Sequence, residues 1–144
     1  MARDLVNSIA VESTIVPAAY DADQNGTAVD LQGFESASIV ASLGAEGVTL
    51  SGTTKIDIKL EDSDDGSTFA AVTGDNSVIE GSVDASGIFF TADADAEIPA
   101  VATIGYRGGK RYVRAVADFS GTHGTATPLG VNVIKGHPRS TTDS

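Results

Sequence analysis

The chain reads as all-β: a single-domain antiparallel β-sandwich of jelly-roll-like form. Three observations predict it. In residues 55–61, K-I-D-I-K-L-E, the apolar side chains Ile56, Ile58 and Leu60 alternate strictly with charged ones, the period of a strand with one buried face. The composition is rich in Ala, Val, Ile, Thr, Ser and Gly, with 6% aromatics and no Trp, which suits thin strands and tight turns. Glycine-containing breaks separate most apolar runs, and about seven or eight short strands so spaced need two sheets, each covering the other's apolar face.

In chain order, residues 8–16 form the first strand candidate, 21–26 a turn, and 28–31 a short strand. In residues 35–43, Ala37, Ile39, Ala41 and Leu43 share one face while Ser36, Ser38 and Ser42 share the other; Val40 is the exception on the polar side. The strand at 55–61 has one buried and one wet face and ends in D-S-D-D-G-S (62–67), where Asp caps its own backbone and Gly66 accepts positive φ. Residues 69–72 run back as its partner, and short strands follow at 78–80 and 87–91. A-D-A-D-A at 92–96 is too short and too close to Pro99 to hold a helix. In residues 110–119, Val113, Ala115, Ala117 and Phe119 share a face, and Lys110, Tyr112, Arg114, Val116 and Asp118 the opposite one. Residues 129–135 give the last strand, and the polar ends, 1–7 and 136–144, flank the domain at 8–135 as flexible arms.

A length of 144 residues fits one domain with one core, burying roughly two thirds of the unfolded surface. The absence of Cys excludes disulfides, thiolate ligands and a cysteine nucleophile. The start, M-A-R-D-L-V-N-S-I-A, has no apolar region of signal-peptide length, so export by that route is not expected. No stretch approaches the roughly 20 apolar residues that span a bilayer, and a net charge of −11 repels phosphate and anionic lipid. A soluble protein with no membrane partner and no direct nucleic-acid partner is therefore expected. The charge is segregated: residues 1–106 carry 18 acidic and 3 basic side chains, residues 107–144 only 2 acidic and 6 basic.

Residues 21–26, D-A-D-Q-N-G, match the first half of a calcium loop, but the twelfth position is Gln32 where a bidentate Glu belongs. A turn with solvated carboxylates is the simpler reading, and no metal or cofactor is expected. Residues 105–111, G-Y-R-G-G-K-R, resemble a phosphate loop only loosely: Gly105 and Lys110 are five apart instead of six, Arg111 stands where Ser or Thr should be, and a strand follows where a helix is needed. A Gly-Gly hairpin turn at Gly108 and Gly109 between two strands fits better. His123 and His137 lie in loops, no G-x-S-x-G elbow is present, and the carboxylates cluster in hydrophilic turns, so an enzyme is not expected.

The basic segment admits two readings. Its cations balance nearby carboxylates within the subunit, or they contact a partner. For a partner, Arg107, Arg111 and Arg114 are the best anchors because a guanidinium makes bidentate contacts, with Lys110 beside them and Tyr106 and Tyr112 adding apolar area with a polar tip. The acidic turns then face solvent.

Three segments, D-L-Q-G-F-E-S-A (30–37), K-L-E-D-S-D-D-G-S-T-F (59–69) and G-Y-R-G-G-K-R-Y-V-R (105–114), resemble small accessory head proteins of tailed bacteriophages, the capsid decoration or cement proteins. The resemblance implies a non-enzymatic virion protein, made in the host cytoplasm, that binds the outer surface of the major capsid protein shell and stabilises its mature form, often as a homotrimer. Charge placement, and not the family motif, assigns the shell or subunit contacts to Arg107, Lys110, Arg111, Tyr112 and Arg114 and to the N-terminal arm. Two alternatives stand beside it: a tail-tube or head-completion protein, and a virion-surface carbohydrate- or receptor-binding module, although such modules usually expose more aromatic platforms than this chain offers.

Overall fold

The computed structural model describes residues 6–73, 79–80, 83–84, 86–107 and 109–138. Among these, the strands are β1 (Ile9–Tyr20), β2 (Gln24–Asn25), β3 (Val29–Asp30), β4 (Phe34–Leu43), β5 (Lys55–Ser63), β6 (Ala70–Ala71), β7 (Ile79–Glu80), β8 (Ile88–Ala92), β9 (Ala100–Tyr106), β10 (Tyr112–Ser120) and β11 (Thr127–Pro138). One sheet runs β1-β11-β4-β9-β7. In the other, β10 and β5 are central; β2 and β3 share the free side of β10, and β6 and β8 share that of β5. Every pair is antiparallel.

Taking β2 with β3 as one interrupted strand, the chain alternates between the sheets from β1 to β5, turns back in the second sheet as β6, adds the short β7 to the first sheet, returns to the second as β8, then alternates again through β9, β10 and β11. The orders β1-β11-β4-β9 and β3-β10-β5-β8 are two interleaved Greek keys, the jelly roll that the sequence predicts.

Strict alternation builds the core. Ala37, Ile39, Ala41 and Leu43 of β4, Ile56, Ile58 and Leu60 of β5, and Val113, Ala115 and Ala117 of β10 are all buried on the facing surfaces. Leu129, Val131 and Val133 of β11 complete the layer. The turn after β5 and the returning strand form as expected, with Asp62 paired to Ala70 and Glu61 to Ala71.

Four expectations change. β9 has no counterpart among the predicted strands, yet it pairs with β4 along its whole length. The predicted Gly-Gly hairpin does not form, because β9 pairs with β4 and β7 while β10 pairs with β2, β3 and β5; the chain between Tyr106 and Tyr112 crosses from one sheet to the other. Gly108 itself lies outside the described residues, as do residues 1–5 and 139–144 of the expected arms. The outer face of β5 is not uniformly wet: Asp57 is buried and accepts a hydrogen bond from Thr91 Oγ1 at 2.7 Å. The first strand continues through Pro17 to Tyr20, with register shifts between Ser13 and Ile15 and between Ile15 and Ala18, which an edge strand accommodates.

Thr14, at the first irregularity of β1, joins the two sheets. Its buried Oγ1 donates to the Thr27 carbonyl at 2.8 Å and accepts the Ala115 N–H at 3.1 Å. Gly26 lies so close that a Cβ there would be 2.2 Å from Thr14 Oγ1 and 2.5 Å from the Ala115 carbonyl oxygen. Close approach, and not the bend of a calcium loop, explains this glycine.

Candidate functional site

The register of β10 fixes the surroundings of the basic segment. Tyr112 is opposite Asp30 of β3 on one side and Ser63 of β5 on the other, so residues 110–114 enter between two acidic stretches. Arg111 donates from Nε and Nη2 to the two oxygens of Asp30 at 2.9 and 2.8 Å. Lys110 Nζ donates to Asp64 Oδ2 at 3.2 Å. Arg114, directly across from Glu61, reaches its Oε1 from Nε at 2.8 Å and from Nη2 at 2.7 Å. The main chain adds the Leu31 N–H to the Arg111 carbonyl at 2.7 Å.

Aromatic rings support the cations. The Arg114 guanidinium lies over Phe69 at 4.3 Å and that of Arg111 is 5.1 Å from the Tyr112 ring centre, distances at which the ring quadrupole attracts positive charge. Tyr112 in turn packs on Gly66, whose φ of 80° suits glycine and where a Cβ would sit 3.3 Å from the ring. Asp65 holds this turn: its Oδ1 accepts the N–H groups of Ser67 and Thr68, both at 2.9 Å, and the Ser63 hydroxyl. Those donors lower its carboxyl to about 2.

The first of the two readings of the basic segment therefore describes Lys110, Arg111 and Arg114, each ion-paired within the chain. Hydrogen bonding from Arg111, reinforced by the Gln32 N–H, lowers the Asp30 carboxyl to about 2, while Asp30 raises Arg111 and Asp64 raises Lys110. Arg107 is exposed and lines a separate concavity of about 480 Å³ with Ser38, Gly105 and His137. A smaller hollow of about 190 Å³ opens between Leu31, Phe34, Tyr106 and the Lys110–Arg111 pair.

Tyr106 does not offer its tip to a partner. It is 2% exposed, and its hydroxyl donates to Asp62 Oδ2 at 2.8 Å, linking β9 of one sheet to β5 of the other. Burial first, and then Asp62, push the phenol well above its ordinary range. Asp62 is buried as well, so the acidic turn does not face solvent throughout. Asp30, Glu61, Asp62, Asp64 and Phe69, which complete the cluster, were not legible as partners of the basic residues; the only signal was that all of them fall inside the three segments carrying the family resemblance.

The other motifs serve the fold. Gln24 and Asn25 pair with β10, and Asp23 Oδ1 accepts the Phe119 N–H at 2.6 Å, so residues 21–26 are engaged as a strand connection. Among the described residues, no group of three or more His, Asp or Glu side chains is placed to hold a metal ion, and no helix is long and apolar enough to cross a membrane. His123 is buried against Phe119, with Nε2 2.9 Å from the Ser120 carbonyl oxygen, while His137 Nδ1 is 2.5 Å from Ser36 Oγ.

No family model and no curated protein sequence matches the chain. Among solved structures, it is similar to the SPBc2 prophage-derived protein YomS, with 11% identity and a TM-score of 0.47 over 88% of this chain and 93% of that one. Two infectious bursal disease virus structures are more distant. The Gt strain gives 12% identity and a TM-score of 0.26, over 91% of this chain and 42% of that one. The VP2 subviral particle gives 15% and 0.27, over 91% and 41%.

Proposed function

We propose that this chain is a small accessory head protein of a tailed bacteriophage or prophage, a decoration or cement protein that binds the outside of the assembled shell and catalyses no reaction. The observation that carries this reading is convergence. The three segments that resemble that family are far apart in sequence, yet they meet at one end of the sandwich through Arg111–Asp30, Lys110–Asp64, Arg114–Glu61, Arg114–Phe69 and Tyr106–Asp62. A jelly roll serves many functions, so the fold alone does not supply the role. Shared wording gathered on one surface supports a common use of that surface.

The cluster suits docking because its cations are already oriented. Carboxylates and rings fix the guanidinium planes, so little side-chain freedom remains to be lost on contact. Each guanidinium has five donors, of which Arg111 and Arg114 each direct two to carboxylates among the described residues, and further donors suit carbonyl or carboxylate groups of the major capsid protein. Binding only the mature lattice shifts the shell towards that state, and repetition over many sites makes weak contacts count.

The reading is tested by mixing the purified protein with mature and immature capsids and measuring occupancy, then heat-induced DNA release. Selective binding to the mature shell and later release are expected; equal binding to both states, or none, refutes it. An Arg111→Glu, Arg114→Glu double variant, shown by circular dichroism to remain folded, loses at least tenfold in occupancy. Unchanged occupancy removes the cluster from the contact.

A further inference from the structure

The two outer faces of the sandwich differ in charge. On the β10-β5 sheet, the outward positions carry Lys55, Asp57, Lys59, Glu61, Arg114 and Asp118, cross-linked by ion pairs such as Lys59–Asp118 at 3.2 Å. On the other sheet, the register places Ser36, Ser38, Val40 and Ser42 of β4 beside Gly136, Ile134, Asn132 and Gly130 of β11. Ile9, Val11 and Ser13 of β1 extend this surface on one side, and Val101, Thr103 and Gly105 of β9 on the other. None of these fourteen positions is charged. A chain with 20% charged residues would place about three charges there, more on an exposed surface. Charge returns at the rim, where the exposed Arg107 lines the concavity beside Gly105.

The face is also uneven and partly apolar. Val11 and Val101 are 55% and 67% exposed near its opposite margins. Between and beside them lie concavities of about 480 Å³ near Gly105 and Gly136 and about 580 Å³ near Gly130 and Pro17.

We propose that the outer face of the β1-β11-β4-β9 sheet binds a second copy of this chain about a twofold axis, forming a weak symmetric dimer. The charge pattern selects this occupant. In a contact between identical faces each group near the axis meets its own kind, so any carboxylate or ammonium would oppose a like charge. A different partner could match charge with opposite charge and would not require a neutral surface. Two molecules of net charge −11 repel one another, and a face without charged groups adds no like-charge opposition where the copies touch. Four strands about 4.8 Å apart and about seven residues long give a face of roughly 500 Å², so the pair covers about 1,000 Å², near the lower limit for specific interfaces. The dimer population therefore follows concentration. The proposal is independent of capsid binding.

Sedimentation velocity across about 10 μM to 1 mM tests it. A monomer–dimer equilibrium is expected; a monomer throughout, or a trimer, overturns it. Val11→Glu with Val101→Glu, both at exposed positions, weakens the dimer at least tenfold, and an unchanged constant also overturns it. A second variant removes dependence on those substitutions. The chain has no cysteine, so Val40→Cys at the centre of the face gives a disulfide-linked dimer on mild oxidation, whereas Lys59→Cys on the opposite sheet does not. Equal cross-linking of the two, or none at Val40→Cys, counts against the contact.

Discussion

Tyr106 and Asp62 meet across the interior, one from each sheet, and removing a single oxygen tests what that contact contributes. In Tyr106→Phe the buried Asp62 carboxylate loses its phenol donor, which costs about 1–3 kcal/mol because burial leaves little water to replace it; urea denaturation at neutral pH measures the loss. The folded state raises the phenol above its ordinary 10, so this group's stabilisation is complete below pH 10 and declines as pH rises further. Ultraviolet titration therefore shows Tyr106 ionising only with alkaline unfolding, and the variant lacks that component. Asp30 behaves in the opposite sense. Its carboxyl falls from 3.8 to about 2 in the folded state, so its contribution is complete above pH 3.8 and is lost as pH falls towards 2. Asp30 and Arg111 are both more than a third exposed, and solvent screening keeps Asp30→Asn to about 1 kcal/mol or less at pH 7. The difference between wild type and Asp30→Asn in urea midpoint shrinks from pH 7 to pH 3; a constant difference would mean that Arg111 does not set this carboxyl.

At the scale of elements, the Thr14 side chain is one of the links by which β1 ties the two sheets together, beside the Thr27 N–H on the Thr14 carbonyl and the buried Ile15. Thr14→Val keeps the shape but leaves the Ala115 N–H and Thr27 carbonyl without their partner, at a cost of about 2 kcal/mol or more. Hydrogen exchange should show faster exchange at Ala115, with amides of the central β11-β4 ladder little changed; equal protection in the two proteins would exclude the Thr14 side chain as such a link. Such links between sheets were not legible in the sequence, because alternation reports which face of a strand is buried and not what it meets. Where outward positions were charged or serine-rich, as in β4, β5 and β10, the strand and its inner face could be read residue by residue. β9 escaped because its outward residues Val101, Thr103 and Gly105 are as uncharged as its inward Ala102 and Ile104, leaving no contrast. The hairpin expected at Gly108 and Gly109 failed for a related reason: glycines announce a change of direction, while strand pairing is decided by which sheet needs the next apolar face. Charge segregation located the basic half of the candidate site, but Asp30, Glu61 and Asp64 reach it through pairings distant in sequence.

For the whole molecule, the division between a neutral face and a charged one predicts opposite responses to salt. On the β10-β5 face Asp57 and Asp118 are directly opposed, and Lys55, Lys59 and the Thr91 hydroxyl offset their repulsion, so this face neutralises itself locally. The net charge of −11 nevertheless acts between molecules, and it opposes self-association at every orientation. If copies meet through the uncharged face, the contact contains no ion pair for salt to weaken, and screening removes only the repulsion. From about 0.02 M to 0.3 M salt the screening length falls from about 20 Å to about 6 Å, less than the size of the domain. The dimer measured by sedimentation should therefore tighten severalfold over that range, whereas capsid occupancy through Arg111 and Arg114 should fall. A dimer that loosens with salt would place charged groups in its interface and exclude the β1-β11-β4-β9 face. Measured on one preparation, the two opposite slopes distinguish a surface used between copies from one used towards the shell.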